Sequence, residues 1–223
     1  MVVTPDEAQF ILDFFSGTDA GFFVEVGPGR IGSPGAALEA RGWTGVLVEP
    51  KPDLAAFLVT ARSAKVFAVA CVSPAQAGQT VPLHVPTSGA APFVVLVPAR
   101  TLDDILDEAE ASAPLDLLAV DAAGYESDAL LGFDIDHWRP RLVMLRDRLQ
   151  TLQAHHLMRS RGYRLIRRAG DNSCYVPADA PARATGRERW RIVREYYLGW
   201  PFRLVRNAMR RIGRSIRRSV AGR

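Results

Sequence analysis

The sequence predicts an α/β fold whose sheet is mostly parallel and ends in an antiparallel hairpin. Between residues 22 and 145, short apolar runs of strand type alternate with helical patterns, as in a parallel sheet with crossover helices. Two of these runs end in a carboxylate, Glu49 and Asp121, at the end of the strand where such sheets bind ligands. Farther along, the runs 163–168 and 173–176 flank a turn sequence, which predicts the hairpin.

A helix is predicted near the start of the sequence. The segment Thr4-Pro5-Asp6-Glu7 forms a capping box with proline at the first helical position. The apolar residues that follow recur on one helical face, so we expect this helix to flank the first strand. They are Ala8, Phe10, Ile11, Phe14 and Phe15.

The first predicted strand, 22–26, runs into a loop with the spacing G-x-G-x-x-G. Glycine accepts backbone angles that other residues resist, and it lets a ligand approach the main chain closely. The loop residues Gly27, Pro28, Gly29 and Gly32 are therefore candidate cofactor-binding residues. The alternative is an ordinary tight turn before a helix.

The next unit completes a nucleotide-binding pattern. Pro34 suits the first turn of a helix over 35–41, which Gly42 closes, and the strand 45–49 then ends in Glu49. An acid about 20 residues beyond the glycines can accept hydrogen bonds from a ribose diol. We predict this role for Glu49, the alternative being a solvated glutamate.

Two cofactor classes share this pattern, the dinucleotides and S-adenosylmethionine. A dinucleotide places its pyrophosphate at the helix N-terminus, where an acid such as Glu25 is unfavourable. The same carboxylate can face the cationic amino-acid end of S-adenosylmethionine, which we therefore predict as the cofactor. The only lysines, Lys51 and Lys65, do not follow a tyrosine at helical spacing, so a reductase pair is absent. A dinucleotide-dependent oxidoreductase remains the less favoured alternative.

The third strand is predicted within 64–72, and its end places Ala70 near an adenine ring. Residues 74–98 contain five prolines and strand-like runs at 80–85 and 93–97. This composition predicts an inserted hairpin or a substrate-facing loop. Thr101 then caps an acidic helix, which we interpret as a solvated face.

Asp121 ends the fourth predicted strand and is the best catalytic candidate. A carboxylate at a strand end beside a glycine turn lies over the cofactor, where it can act as a base or orient a hydroxyl. Glu126 is a second candidate, although the helix dipole also favours a glutamate in a first helical turn. His155 and His156 lie on a predicted helix, 149–161, and are predicted to be surface residues.

The sequence resembles the FkbM-type methyltransferases over about residues 20–177. The resemblance rests on FVEVGPGRIG, GWTGVLVEPKPDL, TLDDIL, LLAVDAAGYESDALLGFD and HWRPRLVML, in the order and spacing of the family. It implies a class I methyltransferase fold, a Rossmann-like three-layer sandwich, with S-adenosylmethionine as cofactor and O-methylation of a sugar, glycan or secondary metabolite. Carried over by position, the methionine portion of the cofactor would bind to Glu25, Gly27, Gly29 and Ser33, the ribose to Glu49, and Asp121 would stand at the site.

The chain departs from the family pattern at two positions. Ala123 stands where the family has an acid, and Arg146 stands where the fifth strand of the family ends in a glutamate. Fewer carboxylates converge, so no metal site is predicted. The departures motivate one alternative function, a noncatalytic scaffold that keeps the fold and docks through its C-terminal tail.

The charge of the chain is unevenly distributed. Residues 183–223 hold 13 arginines and two glutamates, a net charge of +11, whereas residues 1–182 carry −7. We predict a methyltransferase domain over 1–180 and a basic amphipathic helical tail over 181–223. The tail suits an anionic membrane surface or a protein partner, or packs back on the acidic body, whereas nucleic acid is less favoured.

Three further features bear on location. No signal peptide is visible, no apolar run reaches the length of a membrane span, and two cysteines cannot form a disulfide framework. We therefore expect a cytoplasmic protein, with peripheral membrane association through residues 187–223.

Overall fold

The structure is a computed structural model that describes residues 3–30, 32–85, 93–122, 124–147 and 152–199. Within these residues ten strands are numbered in chain order. They are β1 (Phe22–Val26), β2 (Thr44–Val48), β3 (Lys65–Phe67), β4 (Ala70–Cys71), β5 (Thr80–Val85), β6 (Phe93–Arg100), β7 (Leu117–Val120), β8 (Leu142–Arg146), β9 (Tyr163–Ala169) and β10 (Asn172–Pro177).

Eight α-helices connect or flank these strands in the described part of the chain. They are α1 (Pro5–Phe14), α2 (Pro34–Glu39), α3 (Pro52–Ala61), α4 (Leu102–Glu108), α5 (Glu126–Leu131), α6 (Ile135–Trp138), α7 (Gln153–Ser160) and α8 (Gly186–Ile192). The predicted capping box is confirmed, because Thr4 and Glu7 exchange both of its hydrogen bonds at the start of α1. The helix expected over 35–41 ends earlier, at Glu39.

Seven strands form the central sheet in the order β3-β2-β1-β7-β8-β10-β9. Strand β10 is antiparallel to both of its neighbours, and the other described pairs in this sheet are parallel. The predicted fold class is therefore confirmed, including the hairpin at the sheet end. The chain builds outward from β1 to β3 and then returns to the other side of β1 with β7. A switch of direction of this kind opens a crevice at the carboxyl ends of β1 and β7.

Helices cover both faces of the central sheet. Side chains alternate along β1, so Val24 and Val26 pack in a layer with α4 and α5, whereas Phe23 packs in the layer with α1, α2 and α3. Both layers are cores of buried hydrophobic side chains. The result is the three-layer sandwich that the alternating pattern predicts.

The proline-rich insertion forms a second, smaller sheet in the order β4-β6-β5. Strands β5 and β6 are antiparallel with Val81 opposite Val97 and Leu83 opposite Val95, which confirms the predicted hairpin. Its two faces differ, because Val97 is buried whereas Leu96 is 67% exposed. One face of the hairpin therefore packs on the body and the other meets solvent.

Only the first part of the predicted tail falls within the described residues. Helix α8 and a π-helical turn, Val193–Leu198, pack beside β9, where Arg168 Nε donates to Glu195 Oε2 over 2.8 Å. This segment lies against the body, as one of the alternatives expected. Residues 200–223, with most of the basic amphipathic pattern, lie outside the described residues, and docking of the tail to a membrane or partner stays a prediction. No helix in the described ranges is long and apolar enough to cross a membrane.

Candidate active site

A cleft of about 520 Å³ lies at the carboxyl ends of β1, β2 and β7. Its floor comes from the glycine-rich loop and from Glu49, its far side from Asp121 and Arg146, and one wall from the β5–β6 hairpin. The loop, Glu49, Asp121 and Arg146 come together because each follows or ends one of the neighbouring parallel strands. The hairpin lies over the ends of these strands.

The glycine-rich loop comprises residues 27–30 and 32–33 in the structure. Gly27, Gly29 and Gly32 have φ values of 69°, 73° and 70°, in the left-handed region that favours glycine. A Cβ on Gly27 would lie 2.2 Å from the carbonyl oxygen of Asp121, so a side chain there would collide with the backbone at the end of β7. Gly27 and Gly29 line the cleft, whereas Pro28 is buried and Gly32 is exposed, and neither of these two lines the cleft.

Glu49 follows the last residue of β2 and lines the cleft, although its residue surface is only 4% exposed. Its Oε1 accepts a hydrogen bond from the Lys51 backbone N–H over 3.1 Å. Burial raises the pKa of this carboxyl, and the negative charge of Asp121 raises it further. The structure thus places a partly desolvated acceptor where the sequence predicts a ribose ligand.

Asp121 and Arg146 face each other across the cleft end of two adjacent strands. Arg146 Nη1 donates to Asp121 Oδ2 over 2.9 Å, which the register of β7 with β8 makes possible. In the sequence, Arg146 stood out only as a departure from a family pattern, and this ion pair was missed. Adjacency of the two strand ends was the signal that could have revealed it.

The predicted role of Glu25 needs correction. The register of β1 sets Glu25 beside Leu47 and Ala119, on the sheet face that packs against α2, and its residue surface is 1% exposed. Its Oε1 accepts from the Gly35 backbone N–H over 2.7 Å, and its Oε2 from the Ser33 hydroxyl over 2.8 Å. Neither Glu25 nor Ser33 lines the cleft.

Glu126 also lies away from the predicted position. Its Oε1 accepts from the Gly124 backbone N–H over 3.0 Å, and the residue does not line the cleft. Burial raises the pKa of its carboxyl. Two neighbours that had no predicted role, Tyr125 and Asp128, line the cleft instead. Ala123 lies outside the described residues.

The wall opposite the carboxylates is apolar. Ala70 lines the cleft next to Cys71, and burial raises the pKa of the Cys71 thiol to about 12. The inner residues of the hairpin, Val81, Leu83 and Val97, continue this surface. A planar base or another apolar group can lie against such a wall without leaving a polar atom unsatisfied.

The two histidines differ from the expectation that both are surface residues. His156 is exposed, but His155 is buried and its Nδ1 lies 3.0 Å from the hydroxyl of Tyr175. Burial lowers the pKa of His155 to about 4, so this ring is neutral at physiological pH. It borders a separate cavity of about 280 Å³ and does not line the cleft.

The strand order, the glycine-rich loop and the strand-end acid define a nucleotide-binding α/β domain. Residues 31–165, more than half of the chain, match the sequence model of the methyltransferase FkbM domain. The chain therefore belongs to the FkbM methyltransferase family, as the resemblance implied. It is an S-adenosylmethionine-dependent methyltransferase.

Several solved structures are similar to this chain. The O-methyltransferase from Bacillus cereus in complex with SAH is 14% identical, with 78% of this chain and 80% of that chain covered and a TM-score of 0.45. TrmK from M. capricolum in complex with S-adenosyl-homocysteine is 7% identical, with 79% and 68% covered and a TM-score of 0.42. Likeness at this level concerns the fold and not the substrate. No protein of curated function matches the chain.

The residues of the cleft fit the parts of S-adenosylmethionine. The cofactor combines a charged amino-acid end, a ribose diol and an adenine. The cleft offers close main-chain approach at Gly27 and Gly29, a buried carboxylate acceptor at Glu49, and an apolar wall at Ala70. One and the same cleft thus presents a surface for the amino-acid end, one for the ribose and one for the adenine.

Proposed function

We propose that this enzyme methylates a hydroxyl group of a sugar, glycan or secondary metabolite. The observation that carries the proposal is the ion pair between Asp121 and Arg146 at the rim of the cleft. Asp121 follows the end of β7, and Arg146 ends the neighbouring strand β8. Strand β7 also adjoins β1, which leads into the glycine-rich loop. A carboxylate is the group that can accept a hydroxyl proton or orient a hydroxyl oxygen, and it stands beside the cofactor loop.

We assign the cofactor to the β1–β2 side of the cleft. Gly27 and Gly29 would admit its amino-acid end, Glu49 would accept hydrogen bonds from the ribose hydroxyls, and Ala70 would pack on the adenine. When bound there, S-adenosylmethionine supplies an electrophilic methyl group. The residues of the chain contribute position and electrostatics, which account for most of the rate in reactions of this kind.

Asp121 is then the residue that meets the acceptor hydroxyl. Its side chain is 13% exposed, so it reaches the cleft while being largely held by protein. The hydrogen bond of 2.9 Å from Arg146 Nη1 to Asp121 Oδ2 restrains the orientation of the carboxylate. We infer that Asp121 accepts a hydrogen bond from the hydroxyl and takes its proton as the oxygen attacks.

The acceptor side of the cleft also suggests the shape of the acceptor. Tyr125 is 64% exposed at the rim and Asp128 lines the cleft near it, while Leu83 presents an apolar surface from the hairpin. A molecule with several hydroxyls and an apolar portion would use both surfaces. Hydroxylated secondary metabolites and glycosides have this character.

The test is a methyl-transfer assay with a panel of monosaccharides, glycans and hydroxylated natural products. Release of S-adenosyl-homocysteine identifies an acceptor, and mass spectrometry with NMR locates the new methyl group. We expect it on oxygen, and we expect Asp121→Asn to lower kcat by about 100-fold or more with the cofactor Kd little changed. Asp107→Asn, an exposed carboxylate on α4, serves as the matched control and retains activity.

Three results would contradict the proposal. A methyl group found on nitrogen, carbon or sulfur of the product would exclude O-methylation. Full activity of Asp121→Asn would remove the assigned base. Cofactor binding without methyl transfer to any member of the panel would remove the proposed class of acceptor.

A further inference from the structure

A buried ionic cluster lies beneath the glycine-rich loop and is not part of the cleft. Arg62, directly after α3, has a side chain that is only 12% exposed. Its Nε donates to Glu39 at the end of α2, and its Nη1 donates to the Ser33 hydroxyl over 3.0 Å. Its Nη2 lies 3.5 Å from Glu25 Oε2. One guanidinium therefore contacts three separate elements around the loop.

The cluster closes the loop at its base. Glu25 precedes the loop on β1, Ser33 is the last residue of the loop, and Gly35 lies in the first turn of α2. Because the Glu25 carboxylate accepts from both the Ser33 hydroxyl and the Gly35 N–H, it ties the entry of the loop to its exit. The space is tight, since a Cβ on Gly35 would lie 3.0 Å from the carboxyl carbon of Glu25.

The positive charge of Arg62 is one of the interactions that oppose the cost of burying the Glu25 carboxyl. Burial raises the pKa of the Glu25 carboxyl, whereas the Gly35 hydrogen bond and the positive charge of Arg62 oppose that rise. Removing one partner of a buried ion pair leaves the other charge uncompensated, which is strongly unfavourable. Loss of Arg62 would therefore loosen the contacts that Glu25 makes with the loop.

Helix α3 extends this support to the cleft. Lys51 and Leu54, at the N-terminal end of α3, line the cleft, while Arg62 follows its C-terminal end. Between them, the guanidinium of Arg30 in the glycine-rich loop lies 4.3 Å from the ring centroid of Phe57. The loop is thus held to α3 at two points, one in its middle and one at its base.

We propose that Arg62 is a positioning residue for the cofactor: acting through Glu25 and Ser33, it holds the glycine-rich loop in the arrangement that binds S-adenosylmethionine. Three glycines at positive φ give this loop little intrinsic preference for one conformation. If a loop becomes ordered only when the ligand binds, the ordering lowers the affinity. A brace that orders the loop beforehand therefore raises the affinity without contacting the ligand.

The experiment compares Arg62→Met, Arg62→Lys and the control Arg161→Met by calorimetric titration with S-adenosyl-homocysteine. Arg161 also belongs to an ion pair, with Asp136, but on the exposed surface. We expect Arg62→Met to weaken the affinity about tenfold, which corresponds to a loop that adopts its binding conformation in about a tenth of the molecules. Arg62→Lys keeps the positive charge but loses the planar, multiply donating guanidinium, so its affinity should lie between those of Arg62→Met and the wild type. Arg161→Met should bind as the wild type does.

A second measurement separates positioning from a general loss of stability. Hydrogen exchange of cofactor-free protein should quicken in peptides that span residues 26–36 in Arg62→Met, while peptides from β8 and β10 stay protected.

The outcome that overturns the proposal is a folded Arg62→Met protein, even one of lowered Tm, that binds S-adenosyl-homocysteine as the wild type does. If Arg62→Met does not fold, Arg62→Lys and Glu25→Gln decide: unchanged affinity in both overturns the proposal, and weakened affinity in either supports it. Because only product binding is measured, the result is independent of the acceptor and of the site of methylation.

Discussion

The two sides of the cleft are built in different ways. Most of the side assigned to the cofactor comes from residues 22–54, with Ala70 added from β4, and its glycine-rich loop is braced by the cluster around Arg62. The acceptor side combines four separate segments: the hairpin, the end of β7, the start of α5 and the end of β8. Its side chains are also more open, with Tyr125 64% exposed and the Arg146 side chain 27% exposed.

This difference matches the two tasks of a group-transfer enzyme. The cofactor is one fixed molecule, so a rigid local unit can bind it. The acceptor side is assembled from loops and strand ends that can vary independently, as binding surfaces on a fixed scaffold commonly do. We therefore expect substitutions on the cofactor side to weaken cofactor binding, and those on the acceptor side to change kcat or the acceptor KM with cofactor binding unchanged.

The largest effect is expected for Gly27→Val. The substituted Cβ would meet the Asp121 carbonyl at 2.2 Å, and the residue would be held at a φ of 69°. Stability should fall by roughly 3 kcal/mol or more and binding of S-adenosyl-homocysteine by about 100-fold or more. Thermal unfolding and calorimetry measure the two effects.

Gly42→Val is the matched control for this substitution. Gly42 also has a positive φ, 86°, but its Cβ would meet nothing within 4 Å. It should cost about 1–2 kcal/mol of stability and leave binding unchanged. Equal binding by the two variants would show that the Gly27 position does not belong to the cofactor site.

An intermediate effect is expected for Glu49→Gln. Replacing a charged acceptor by an amide should weaken S-adenosyl-homocysteine binding roughly tenfold, the loss of about 1.5 kcal/mol of charge-assisted hydrogen bonding. In the wild type, the contribution of the Glu49 carboxylate to binding is present above the Glu49 pKa and is lost as the pH falls through that pKa. Because burial raises that pKa, the loss should begin at a higher pH than for an exposed glutamate.

The stability of the cofactor-free protein should change in the opposite direction. A carboxyl whose folded-state pKa is raised disfavours the folded state as the pH rises through that pKa, so Glu49→Gln should be as stable as the wild type or more so at neutral pH. Glu108→Gln, whose side chain is 52% exposed, is the control for both measurements. A pH dependence of binding that persists in Glu49→Gln would assign the effect to another group.

The smallest effect is expected on the hairpin. Leu83→Ala removes part of the inner wall of the cleft and should raise the acceptor KM several-fold, on the order of 1 kcal/mol, without changing kcat. Leu96→Ala, on the solvent face of the same hairpin, should change neither constant. If Leu83→Ala instead weakens S-adenosyl-homocysteine binding, the hairpin belongs to the cofactor side and the boundary between the two sides moves.

The cofactor half of the site was largely predictable from the sequence. Glycine spacing, proline and glycine at helix ends, and an acid closing a buried run are local signals, and the structure has β1, α2 and β2 where they indicate. Glu25 was placed wrongly because strand residues alternate between faces, and the sequence does not say which face covers the cleft. The register beside Leu47 and Ala119 decides it.

The acceptor half was less predictable because its contacts join residues far apart in the chain. Arg146 contacts Asp121 only because β7 and β8 are neighbours in register. Outside the cleft, His155 looked like a surface residue of a polar helix, yet packing against β10 buries it beside Tyr175. In both cases the partner is supplied by another strand of the sheet.

The sequence by itself determined the class of fold, the glycine-rich loop, the Glu49 strand end and the hairpin insertion, since each follows from chain stiffness, side-chain period and turn chemistry within a few residues. Only the tertiary structure decided that Glu25 lies under the loop with Arg62 and that Asp121 forms an ion pair with Arg146. The physical reason is that a charge is compensated by whichever group lies nearest in space, and distance along the chain does not fix distance in the folded molecule.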